Sequence, residues 1–169
     1  MNWIGAILLI IASSAIGFEK AARLKKRPVH LLQLKAALKI LEAEIVYSQD
    51  LLADVCLRIS TQIKAPINHF FQQVGEKMVG HDELFDLWNS EVDHLMNDSA
   101  LEADELTIIK QFGQTLGHFD LINQQKQIEL TIIHLDRILI DAQNKYTVFS
   151  KVYRGIGVLS GILIALILI

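Results

Sequence analysis

This chain of 169 residues is short of cysteine, proline and aromatic rings. Its lone Cys56 cannot form an internal disulfide or a cysteine-rich zinc site, and its setting in "ADVCLRI" reads as a buried thiol. Proline occurs only at 28 and 66, and no alternating apolar–polar run is present, which excludes strands and leaves helix almost throughout. A basic surface is lacking too. Net charge is −3, and the one dense cationic cluster, "KAARLKKR", covers residues 20–27. That is too little to displace the counterions of a nucleic acid.

Catalytic chemistry is equally sparse. There is no glycine-rich phosphate loop, no HExxH and no recognisable nucleophile setting. Glu91 and His94 form an E-x-x-H, but a di-iron bundle needs a second copy and two more inward carboxylates. Glu129 and His134 are five apart, so no second copy exists, and His94 reads as a surface or boundary residue. His118 and Asp120 sit at a turn where capping by Asp120 is explanation enough. Glu42 and Glu44 lie on opposite flanks of one helix, so they cannot form an acid/base pair. The expectation is a protein without metal, cofactor or enzymatic activity.

Charge is missing in two places. Residues 1–18, "MNWIGAILLIIASSAIGF", and residues 155–169, "GIGVLSGILIALILI", contain no ionisable side chain. A helix of roughly 20 apolar residues spans a bilayer, so both are short but plausible spans. A cleaved signal would carry its positive charge before the apolar run. Here Lys20, Arg23, Lys25, Lys26 and Arg27 come after it, which favours a retained anchor. Lys145, Lys151 and Arg154 precede the second run. Basic flanks stay cytoplasmic, so the polar middle is expected in the cytoplasm and both termini on the opposite side. Ser13 with Gly17, and Gly157 with Gly161, have the small-xxx-small spacing that lets helices approach closely in lipid.

What is there, between the ends, is helical periodicity. Pro28 opens a first helix with Leu31, Leu34, Leu38, Leu41 and Ile45 on one stripe. Asp50 caps a second, with Leu52, Val55, Ile59 and Ile63 inward. Pro66 starts a third on Ile67, Phe70, Phe71, Val74 and Met78, ended by Gly80. A fourth follows Asp82, with Leu84, Phe85, Trp88, Val92 and Leu95 inward. Ser99 and Glu102 make an S-x-x-E capping box for a fifth on Leu101, Ile108, Ile109, Phe112 and Leu116, which Gly117 stops. Asp120 caps a sixth. Its stripe runs unbroken from Leu121 through Gln125, Ile128, Ile132, Leu135, Leu139, Ala142, Tyr146 and Phe149 to Tyr153, into the second apolar end.

The expected fold is therefore all-α: a compact antiparallel six-helix bundle flanked by an N-terminal and a C-terminal transmembrane helix. Its parts are an anchor at 1–18, a basic linker at 19–27, a cytoplasmic bundle at 28–151 and a membrane helix at 152–169.

Two stretches carry more than periodicity. "RPVHLLQLKAALKILEAEIVYS", residues 27–48, and "KQFGQTLGHFDLINQQKQIELTIIHL", residues 110–135, resemble the stage III sporulation protein AB family of endospore-forming bacteria. The likeness covers the whole chain, and departs at Leu51, where the family often has proline. The resemblance implies a component of the membrane complex that links mother cell and forespore. Its soluble domain is expected to look like the cytoplasmic domains of type II secretion and type IV pilus platform proteins. It would couple a secretion-type ATPase to other subunits of that complex in the outer forespore membrane, with the bundle facing the mother-cell cytoplasm. Motif or partner-surface candidates are Arg27, Pro28, Glu42, Glu44, Gly113, Gly117, Asp120, Gln125 and Lys126. The expected partners are those subunits and the lipid bilayer, with a homo-oligomer as a further option and no nucleic acid. A self-associating membrane-anchored adaptor without an ATPase contact is the alternative.

Overall fold

Leu31, Leu34, Leu38 and Leu41 recur at steps of three and four, which places them on one side of a helix. In the computed structural model all four are buried. The structure describes residues 2–47, 50–78, 84–116 and 121–168; the side chains of 2–7, 9, 10, 121, 154, 157, 158, 165, 167 and 168 lie outside that description. The elements are α1 (Asn2–Tyr47), α2 (Leu52–Gln62), α3 (Ile67–Met78), α4 (Leu84–Asp98), α5 (Ala103–Gly113) and α6 (Leu121–Leu168). No strand occurs among the described residues. The protein is all-α.

Several helix ends differ from expectation for local reasons. Pro28 does not open a helix; it lies inside α1. The residues before it contain no breaker, and one proline removes only one intrahelical hydrogen bond. Asp50 does not cap α2. The N-cap is Leu51, without a side-chain cap bond, because Asp50 accepts from Arg58 instead. A charge-assisted bond of that kind outweighs a neutral capping contact. The capping box of α5 sits one turn later than the S-x-x-E reading. It joins Glu102 to Glu105, while Ser99 Oγ accepts from the Leu101 amide. On α4, Leu87 is buried and Phe85 is exposed. Gly80, Asp82, Gly117, His118 and Asp120 lie outside the described residues.

The chain divides into two units: Val29–Leu139, and Met1–Pro28 with Ile140–Ile169. In the first, α2 packs on α3, α3 on α4 and α4 on α5. Phe70, Phe71, Trp88 and Phe112 form an edge-to-face cluster, with centroids 4.9 Å apart for Phe70–Trp88 and 5.8 Å for Trp88–Phe112. Such pairs add to their area burial because ring edges and faces carry opposite partial charge. Trp88 Nε1 donates to the Ile109 carbonyl at 2.9 Å, so the buried indole leaves no polar atom unmet. Gly75 brings α2 and α3 together; a β-carbon there would stand 2.8 Å from Leu57 Cγ and 2.9 Å from the Ala53 carbonyl. Cys56 is buried, and burial pushes its thiol up to about 12.

In the second unit α1 and α6 lie side by side, with Ser13 Oγ and Ser160 Oγ 3.1 Å apart. Gly17 and Gly161 are buried there, while Ile11, Ile16, Leu159 and Leu163 are exposed. Among the described residues no helix is long and apolar enough to cross a membrane. The two transmembrane helices expected at 1–18 and 152–169 are thus not found, and a large part of both stretches lies outside the described side chains.

Candidate interaction surface

Within the Val29–Leu139 unit, α1 and α6 run antiparallel, with polar contacts between them. Lys35 pairs with Asp136, and Gln125 Nε2 donates to Glu42 Oε1 at 3.2 Å. Two sequence candidates, Glu42 and Gln125, are thereby brought together. Lys126 is exposed next to Gln125 on α6. Glu44 turns the other way. Arg58 of α2 places Nη2 2.7 Å from Glu44 Oε2 and 2.7 Å from Asp50 Oδ2. The Asp50 bond, and then Glu44, hold the guanidinium above its already high ordinary value. Nothing in the residue pattern marks Arg58, because its partners lie 8 and 14 residues away. The side chain is a clamp on the α1–α2 corner, half open to solvent, where salt screens such pairs.

The remaining candidates are distributed by packing. Gly113 is buried under the Trp88 indole, in space that a β-carbon would fill. Arg27 and Pro28 are buried on α1. Gly117 and Asp120 lie outside the described residues, as do the surroundings of Gly157. Ser13, Gly17 and Gly161 belong to the contact between the two chain ends.

Glu91 and His94 do share a site, a cavity of about 280 Å³ between α3 and α4. Lys77 and His69 of α3 and Asp98 of α4 also line it. Glu91 is buried, and Lys77 Nζ lies 2.6 Å from its Oε1. The carboxylate is therefore already neutralised by a cation of the neighbouring helix. No group of three or more His, Cys, Asp or Glu among the described residues could hold a metal ion. His94 is exposed. A second hollow, about 200 Å³, lies between α5 and α6, with Phe112, Leu130, Thr131 and His134 in its wall.

Buried His30 is a residue that pattern reading passes over. Its Nδ1 accepts from the Ala100 amide at 3.0 Å and ties α1 to the link between α4 and α5. The only available signal is a histidine one position before a buried leucine, which is too common to count.

A family described as stage III sporulation protein AB matches residues 2–169. Stage III sporulation protein AB of Bacillus subtilis (strain 168) is 33% identical over 169 residues, covering 99% of each chain. A solved structure of a stage III sporulation protein AB superposes with a TM-score of 0.67 at 34% identity, over 72% of this chain and 96% of that one.

Proposed function

The chain belongs to the stage III sporulation protein AB family and has a role in sporulation; on that premise we propose that it is a non-catalytic membrane platform. The helical bundle faces the mother-cell cytoplasm, and the two chain ends cross the outer forespore membrane. The bundle surface couples a secretion-type ATPase to the other subunits of the mother cell–forespore complex.

One observation carries the membrane half of this reading. In the unit of the two chain ends, the polar Ser13–Ser160 contact and the buried glycines lie between the helices. Ile11, Ile16, Leu159 and Leu163 point away from them. Such a pair is inside out for water. In lipid it is the ordinary arrangement, with small and polar residues between helices and aliphatic ones outside. The basic residues at 20–27 and at 145, 151 and 154 then sit on the cytoplasmic side.

The ATPase half rests on the family likeness and on a bundle surface rich in charged side chains. A mild-detergent pull-down of tagged protein from sporulating cells tests both halves. The expected result is recovery from the membrane fraction together with the ATPase. Release of the untagged protein by alkaline carbonate would remove the membrane half. An ATPase association that survives charge reversal at Glu42 and Lys126 would move the contact elsewhere. Recovery of the protein with itself alone, while the rest of the complex stays assembled, would favour the adaptor.

A further inference from the structure

Helix α1 carries two apolar stripes in the bundle, and only one is covered. Leu31, Leu34, Leu38 and Leu41 face the core. Val29, Leu32, Ala36, Lys39, Ala43 and Val46 repeat the same three–four spacing on the opposite side. Val29 and Leu32 are each 48% exposed and Val46 36%. At about 100° per residue the six fall in an arc of about 100°. The outward face of a surface helix is ordinarily charged; this one holds a single charge, Lys39. Sustained three–four spacing of apolar residues is the seam of a helix pair.

Helix α6 borders this stripe. Its contacts with α1 through Asp136 and Gln125 fix an antiparallel register in which Lys39 lies level with Glu129. Ile122, Lys126, Glu129 and Ile133 follow one another on the outward side of α6, and Ile122 is 79% and Ile133 52% exposed. Neither Lys39 nor Glu129 has an ion-pair partner among the described residues.

We propose that this two-helix face is a homotypic interface, in which α1 of each copy packs on α6 of the other about a twofold axis parallel to the helices. Because α1 and α6 are level and antiparallel within one copy, that operator keeps the same register between copies. Val46 then meets the partner's Ile122, Ala36 meets the partner's Ile133, and Lys39 meets the partner's Glu129. Large side chains find apolar or small ones, and each unpaired charge finds its opposite, twice over by symmetry. Both copies point the same way, as two chains held in one bilayer must.

The area suits a specific but weak dimer. From Val29 to Val46 α1 extends about 27 Å, and two adjacent helix axes lie about 9 Å apart. The footprint is on the order of 500 Å² per copy, or about 1,000 Å² in all, near the lower limit for a specific interface. The inference does not require an ATPase contact.

The test uses the full chain in mild detergent, with mass measured by sedimentation equilibrium. The wild type is expected to dimerise reversibly. Lys39→Glu and Glu129→Lys, both at exposed sites that leave the core intact, each weaken the dimer at least tenfold. An equimolar mixture of the two variants recovers it, because the mixed pair has opposite charges at both contacts. Ala36→Cys and Ile133→Cys, mixed, are expected to form an intermolecular disulfide that neither forms alone; the buried Cys56 does not compete. A wild type that stays monomeric up to about 100 μM, or variants that dimerise like wild type, overturn the proposal. So does a mixture that fails to recover, which would mean that Lys39 and Glu129 act within one chain or toward a different protein.

Discussion

The indole of Trp88 lies against Gly113, in the space where any other residue would carry its β-carbon. The first glycine of "FGQTLG" is thus a packing residue, which lets α5 close on α4. Gly113→Ala forces the ring out of its contacts with Phe70 and Phe112. Overpacking of this kind costs about 1–3 kcal/mol. Thermal unfolding of the variant should show the loss, and a melting temperature equal to wild type would mean that the indole shifts freely.

Trp88 itself should be the costlier site. Truncation to alanine removes a fully buried ring and is expected to cost about 3–5 kcal/mol. Trp88→Phe keeps most of the apolar contact but loses the donor to the Ile109 carbonyl, at about 1 kcal/mol. Equal losses in the two variants would contradict the assignment of most of the energy to packing.

His30 Nδ1 is an acceptor in the core. With Nδ1 accepting from the Ala100 amide, the ring proton sits on Nε2. His30→Ala leaves a buried amide unmet, at a cost of about 1–3 kcal/mol. Asparagine places an oxygen close to the position of Nδ1, so His30→Asn is expected to retain part of that stability in urea titration. If asparagine and alanine are equally destabilised, the amide bond is not what His30 contributes.

Cys56 gives a pH signature. Burial raises its thiol from 9.0 to about 12. The folded value is the higher one, so this contribution is full below about pH 9 and fades as pH climbs toward 12. Wild type should lose stability more steeply than Cys56→Ala between pH 9 and 11, by up to about 1.4 kcal/mol per pH unit. At neutral pH the folded protein should resist alkylation and the urea-unfolded protein should react. Rapid native alkylation would show that the α2–α3 contact opens readily.

Lys77 and Glu91 form an ion pair in the wall of the α3–α4 cavity. Lys77→Ala strands a buried carboxylate, and the expected cost is about 1–2 kcal/mol, limited by the partial exposure of the lysine. Removing the charge from both partners at once, with Lys77→Met and Glu91→Gln, should be milder than Lys77→Ala alone. A double variant as unstable as the sum of its parts would refute the coupling.

Much of the fold was legible in the residues because helical periodicity is a local property. The stripes of α1 and α3, and that of α6 from Ile128 to Ala142, found their core through steps of three and four, whereas Gln125, Phe149 and Tyr153, expected on the same stripe of α6, are exposed. Terminal details were less legible. Asp50, Ser99 and Phe85 each obeyed a local rule that a neighbour overrode: Arg58 claimed the carboxylate, Glu105 completed the cap of Glu102, and the rotation of α4 turned Leu87 inward. Of the surface candidates, the likeness to a known family singled out Glu42, Gln125 and Gly113, but not what they do.

The sequence by itself determined the helical class, the order of six helices, the two uncharged ends and the family. Each follows from the composition or spacing of residues near one another in the chain. Tertiary structure decided which polar groups meet: Glu42 with Gln125, Glu44 with Arg58, Lys77 with Glu91, and His30 with Ala100. It also decided that Gly113 serves Trp88, and that one apolar stripe of α1 is covered while its twin is bare. Those outcomes depend on how helices rotate and slide against one another, which the packing of whole side chains sets and no local pattern encodes.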